Sequence, residues 1–133
     1  MDIGKRLYEE AVNLINKRYP TGYGGAAAMY TSSGKILTSV APETINSSTE
    51  LCIETGAILE AHKLNENITH TICVVRENEH SDFMILTPCG ICQERLFYWG
   101  SNVKAAVSNA DNSITFKTLE EIQPHYWRKV YKK

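Results

Sequence analysis

Apolar residues at Ile3, Leu7, Ala11, Leu14 and Ile15 recur at helical spacing and predict an amphipathic first helix that ends before Pro20. Glycines break the pattern at Thr21-Gly22-Tyr23-Gly24-Gly25, which reads as a loop. Residues 26–31 are mostly small and apolar, as in a buried strand, and Ser32-Ser33-Gly34 turns them into a second strand over 35–40. Two short strands so joined predict an antiparallel hairpin. A polar, irregular run over 41–48 leads to a helix with Thr49 as its expected N-cap and Cys52 in its first turn. That helix should run to about Leu64, with Gly56, Ala57 and Ala61 small enough to let it lie close to a sheet.

Residues 71–75 are dense in β-branched side chains and predict a third strand, in which Cys73 reads as core filling. A turn over 78–81, an extended run over 83–86 and a helix over 88–99 follow. Thr87 is the expected N-cap of that helix, Pro88 its first residue and Gly100 its stop. Strands are expected over 103–108 and 114–117, and Thr118 with Glu121 forms a capping-box pattern for a short last helix closed by Pro124. Alternating strands and helices predict one α/β layered domain over residues 1–133, with about five strands and no internal repeat or linker.

Composition changes this picture little. A chain of 133 residues with 43% hydrophobic and 22% charged side chains has the make-up of a soluble globular domain. A net charge of −1 gives no basic footprint for nucleic acid, and Arg128-Lys129 with Lys132-Lys133 reads as a solvated tail. No apolar run is long enough to cross a membrane, and Met1-Asp2-Ile3 does not begin a secretory signal. Clustered cysteines in that setting point to a reducing cytoplasm and to metal in place of disulfides.

The chemistry gathers in Cys52-Ile53-Glu54 and Thr87-Pro88-Cys89-Gly90-Ile91-Cys92. Cys89 and Cys92, three apart on a helix, share a face, and Cys52 at a second helix start can meet them. Three thiolates with no fourth ligand nearby suit a zinc ion that keeps one position open for water. Glu54 could itself be a ligand, but its spacing from Cys52 suits better a general acid/base reaching that water. The plainer readings are a redox pair at Cys89/Cys92 and, for Glu54, a carboxylate merely favoured by a helix start.

Together these runs resemble the [HC]-x-E … P-C-x-x-C signature of the zinc-dependent cytidine deaminase family. Cys in the first position resembles its free-nucleoside branch, which includes the blasticidin S deaminases. The resemblance implies a three-layer α/β/α fold with a mixed sheet, zinc on Cys52, Cys89 and Cys92, and Glu54 as proton shuttle. It implies a free cytosine nucleoside as substrate, converted to the uracil form with release of ammonia. Blasticidin S-type deamination and a non-catalytic, zinc-bound nucleoside-binding protein are the alternatives, and neither nucleic acid nor a membrane is expected as partner.

Outside the motifs, residues 23–29 resemble the family's F-P-V-G-A-A-L run, with Tyr23 where an aromatic meets the pyrimidine. Gly34-Lys35-Ile36 resembles its hairpin G-[RK]-I, and Glu121-Ile122-Gln123-Pro124-His125-Tyr126-Trp127 its E-L-L-P-x-x-F. The ribose-binding N-[VI]-E-N falls on Ala41-Pro42-Glu43-Thr44, where Glu43 alone agrees. Tyr23, Glu43, Ile53 and Trp127 are thus the implied substrate contacts, and Trp127 would serve a neighbouring subunit of a homotetramer. Thr55 stands where the family often has Arg, and Gln93-Glu94 where it often has Arg-Gln, so another group, Arg95 or backbone N–H, must offset the net negative charge that three thiolates leave on a divalent ion.

Overall fold

Ala26, Ala27, Ala28 and Met29 are all fully buried, so the strand that carries them is covered on both faces. The structure, a computed structural model, describes residues 2–131; the expectations for Met1 and for Lys132-Lys133 lie outside the described residues. The first helix, α1 (Ile3–Arg18), is capped by the Asp2 side chain, which accepts from the Lys5 N–H. It lays Leu7, Ala11 and Ile15 against Ala26, Ala28, Ile72 and Val74 on one face of the sheet. On the other face Met29 and Leu37 meet Ala57, Ile58 and Ala61 of a second helix and Cys92 and Leu96 of a third. The expected three-layer α/β/α fold is therefore present. Small residues fill β1 (Gly24–Thr31) because helices press on it from both sides.

β1 pairs antiparallel with β2 (Ile36–Ser39), the expected hairpin, and antiparallel with β3 (Ile68–Arg76), Ala27 facing Cys73. β4 (Met84–Ile85) pairs with the end of β3, while β5 (Lys104–Ala106) lies parallel to its start and β6 (Phe116–Thr118) antiparallel to β5. The order β2-β1-β3-β5-β6, with β4 beside β3, makes the sheet mixed and puts β3 at its centre. Cys73 is buried there as core filling, and burial holds its thiol well above the ordinary range. The helices of the second layer are α2 (Thr55–Leu64) and α3 (Gly90–Leu96), and the capping box of Thr118 and Glu121 forms as expected at α4 (Leu119–Ile122). No helix among the described residues is long and apolar enough to cross a membrane.

Both motif helices start later than expected. Asn46 caps a 3₁₀ turn at Ser47–Thr49, and Thr49 gives its hydroxyl to the Asn46 carbonyl at 2.7 Å, so it caps nothing further on. α2 begins only at Thr55, and Cys52 lies just ahead of it. Thr87 likewise spends its hydroxyl on the Ser108 N–H at 2.9 Å, and its own N–H donates to Ser108 Oγ at 3.0 Å. This leaves Cys89 in the N-cap position of α3. α3 then tightens into a 3₁₀ turn, Phe97–Trp99, before Gly100 stops it with φ 105°.

Candidate active site

Cys52-Ile53-Glu54 is pressed onto the sheet from below. Ser39, at the end of β2, donates Oγ to the Ile53 carbonyl at 2.7 Å. Glycines make the approach possible: a Cβ on Gly56 would lie 2.8 Å from Ser39 Cβ, and one on Gly25 would lie 2.8 Å from Ile53 Cδ1. The Thr55 N–H donates to the Cys52 carbonyl at 3.1 Å and the Ile58 N–H to the Glu54 carbonyl at 3.1 Å, so the motif winds directly into α2. α3 supplies Cys89 at its N-cap and Cys92 one turn on, and Arg95 on the same helix donates to Thr55 Oγ1 at 2.9 Å. That bond ties α3 to the start of α2.

The Sγ atoms of Cys52, Cys89 and Cys92 all lie within 4.8 Å of one another. Three thiolates at a tetrahedral ion with metal–sulfur bonds of about 2.3 Å stand about 3.8 Å apart, so the cluster has the span such an ion needs. Cys52 Sγ and Cys89 Sγ are 3.2 Å apart. The hydrogen bond to Cys89, with burial added, holds the Cys52 thiol above its ordinary range. Cys89 sits below its own: burial opposes ionisation, but backbone N–H groups of Cys92 and Ile91 and the Cys52 thiol outweigh it. Cys92 is pushed up by burial and by Glu54. Three crowded thiols oppose ionising together, and a cation removes that opposition. Glu54 is 5% exposed, its carboxyl raised by burial, and it interacts with the Cys92 thiol.

The structure of a cytidine deaminase from Bacillus anthracis superposes on this chain with a TM-score of 0.97 at 56% identity, covering 98% of this chain and 93% of that one. The chain belongs to the cytidine deaminase family. It is a hydrolytic deaminase by that membership. Cytidine deaminases from Mycobacterium leprae, at 19% identity with a TM-score of 0.71, and Burkholderia pseudomallei, at 18% and 0.69, share the fold. The first covers 94% of this chain and 100% of its own, the second 91% and 96%. No protein-family model and no curated protein matches the chain.

In this deaminase the three cysteines, Ile53 and Glu54 come together at one corner. Tyr23 is 61% exposed at the start of β1. Glu43 is exposed and pairs with Arg18 at 3.6 Å. Trp127, 57% exposed, donates Nε1 to Glu94 Oε1 of α3 at 2.9 Å. A cavity of about 320 Å³ bordered by Ile68, His70, Trp99 and Lys104 holds no motif residue.

Pattern reading missed Arg76, which is 3% exposed at the end of β3. Its guanidinium donates to the Gly22 carbonyl at 3.2 Å, to Asn16 Oδ1 at 3.1 Å and to the Tyr19 carbonyl, and so holds the loop that leads to Tyr23. A charged residue closing an apolar strand was the available signal. Gln93 was read only as a departure from the family pattern, yet it is buried and bonded at both ends of its amide.

Proposed function

We propose that the chain deaminates the cytosine ring of a free nucleoside, cytidine or deoxycytidine, with zinc on Cys52, Cys89 and Cys92. The observation that carries this reading is a buried carboxyl, Glu54, in contact with Cys92 of a three-thiol cluster that has no fourth His, Cys, Asp or Glu ligand among the described residues. When bound, zinc supplies Lewis acidity that brings the pKa of water to about 7. Glu54 does the rest of the proton work. It accepts a proton from the attacking water and delivers it to the ring nitrogen; it then takes the second proton from the hydroxyl now on the ring carbon and gives it to the amino group, so that C=O forms, the C–N bond breaks and ammonia leaves. Burial raises the Glu54 carboxyl, which favours a group that must hold a proton and give it up near neutrality. The nearby Arg95, bonded to Thr55, is our candidate for offsetting the residual charge of the thiolates.

Ile53, seated on Gly25, and Tyr23 form the base side in this reading, with Glu43 toward the sugar. The whole chain acts as one domain in a reducing compartment, the cytoplasm. It assembles as a homotetramer in which Trp127 closes a neighbour's pocket; exposed Leu59, Ile91 and Trp127 support burial against other copies. Light scattering that returned a stable, active monomer would remove that part of the proposal.

A second reading, deamination of an analogue such as blasticidin S, is favoured by Ala41 and Pro42 where the family's ribose-binding run has polar and apolar residues, and by Glu43 being engaged with Arg18. Ultraviolet assay of cytidine, deoxycytidine, cytosine and blasticidin S, alongside metal analysis, tests both. We expect one zinc per chain, lost in Cys52→Ala, Cys89→Ala and Cys92→Ala but kept in Cys73→Ala. Full zinc in Cys52→Ala, or no ammonia from any of the four compounds, would sink the reading.

A further inference from the structure

Gln93 follows Cys92 on α3 and is only 8% exposed. Its Nε2 donates to the Pro88 carbonyl at 2.6 Å, and its Oε1 accepts from Gln123 Nε2 at 2.6 Å. Chemistry dictates both amide orientations. A carbonyl only accepts, so Gln93 must turn its NH₂ to Pro88; its oxygen is then what remains for Gln123, which must donate. The peptide joining Pro88 to Cys89 is planar, so holding the Pro88 oxygen also holds the direction in which Cys89 leaves the backbone. Burial makes this costly to undo, since each freed polar group would be left without water.

The outer end of the chain of amides lies in a different part of the sequence. Gln123 closes α4, and the backbone then runs to Tyr126 and Trp127. Tyr126 stacks on Phe97 of the same α3 segment at 3.6 Å with the rings 4° apart, and Glu94 accepts from both the Tyr126 hydroxyl and Trp127 Nε1. The carboxy-terminal segment is thus clasped to α3, and Gln123 carries that clasp inward to the turn that presents a thiol.

We propose that Gln93 is a positioning residue: the Gln123–Gln93–Pro88 amide chain sets Cys89 in the thiol cluster and makes metal retention depend on the docking of the carboxy-terminal segment. This rests on the zinc reading above and deepens it.

Zinc release from the loaded enzyme into an excess of a colorimetric chelator tests the proposal, with thermal unfolding followed in parallel. Gln93→Met removes the whole amide chain and should release zinc at least about tenfold faster, as substitutions that loosen a ligand's supporting hydrogen bonds do. Gln123→Met removes the outer link alone and should speed release by a smaller factor. The double variant should release no faster than Gln93→Met, because both changes act through one chain. Ile15→Val, a core truncation under α1 on the other face of the sheet, should lower thermal stability without faster release. Wild-type release from Gln93→Met, additive effects in the double variant, or equal acceleration in Ile15→Val overturns the proposal. Should Gln93→Met fail to fold, Gln123→Met decides alone: wild-type release from it overturns the proposal. A wild-type chain that binds no zinc brings down the zinc reading itself, a failure visible before any substitution is made.

Discussion

Around the thiols, polar contacts run between elements distant in sequence: Ser39 to Ile53, Arg95 to Thr55, and Gln123 through Gln93 to Pro88. In the 41–46 loop, which the resemblance puts beside the sugar, the corresponding contact is the Arg18–Glu43 ion pair, with both side chains largely exposed. A buried hydrogen bond contributes about 0.5–1.5 kcal/mol and costs more when one partner is stranded. An exposed ion pair contributes about 0–1 kcal/mol and is screened by salt. The corner proposed to do the chemistry is therefore held in one arrangement by several costly contacts, and the loop that would choose the sugar is tied to α1 by a cheap one. Reaction type should resist substitution, and sugar preference should not.

The contrast breaks most visibly at Glu54. Glu54→Gln keeps the shape of the side chain and should keep fold and metal, but it removes the group proposed to carry both protons. Each transfer contributes roughly 10²–10⁴-fold, so deamination should fall by several orders of magnitude. Steady-state rates within tenfold of wild type would show that the proton moves by another route.

Arg76 extends the rigid side of the contrast to the loop before Tyr23. Arg76→Met should strand the carbonyls of Gly22 and Tyr19 and the Asn16 side chain. A cost of about 2–4 kcal/mol in denaturant unfolding follows from roughly 1–3 kcal/mol per stranded buried group, reduced where water can reach it. KM should rise more than kcat falls if, as proposed, the loop meets substrate and not the proton path. An unchanged KM would separate Tyr23 from binding.

A smaller effect is expected at the bond between the two motif helices. Arg95→Met and Thr55→Val each remove one side of it and should each cost about 0.5–1.5 kcal/mol, or up to about tenfold in kcat/KM. The double variant should cost no more than either single one. Thr55→Ser, which keeps the hydroxyl, should restore activity. Additive losses would mean that Arg95 acts on the thiols without Thr55.

How much of this was legible in the chain depends on where each interaction is made. Periodicity marks α1, a run of small apolar residues with a Ser-Ser-Gly turn marks the β1–β2 hairpin, and the Thr118–Glu121 box is a contact between near neighbours, so all three are local patterns. The starts of α2 and α3 were misplaced for a local reason with a distant cause. Thr49 and Thr87 are good caps by type, but Asn46 and Ser108 take their hydroxyls first. Arg76, Gln93 and Arg95 were invisible as supports because their partners lie 30–60 residues away or, for Gln93 and Pro88, depend on how α3 starts. The three thiols were readable because metal chemistry restricts residue type so strongly that short spacing carries the signal.

The least costly change should act at the sugar. Ala41 has no side-chain donor or acceptor, Pro42 has no N–H, and Glu43 is turned to Arg18 at the end of α1. Ala41→Asn adds one hydrogen-bonding side chain to a loop with little else to disturb, so stability should change by no more than about 0.5 kcal/mol, as for most surface substitutions. If that amide reaches a ribose hydroxyl, it adds about 0.5–1.5 kcal/mol to transition-state binding of cytidine, a gain of up to about tenfold in kcat/KM. Blasticidin S, whose sugar is altered, should gain less. Side-by-side kinetics of the variant on both compounds give the ratio directly. An equal change for the two would place the 41–46 loop away from the sugar, and a wild-type enzyme already efficient and selective for cytidine would show that another part of the chain, or a neighbouring copy, reads the ribose.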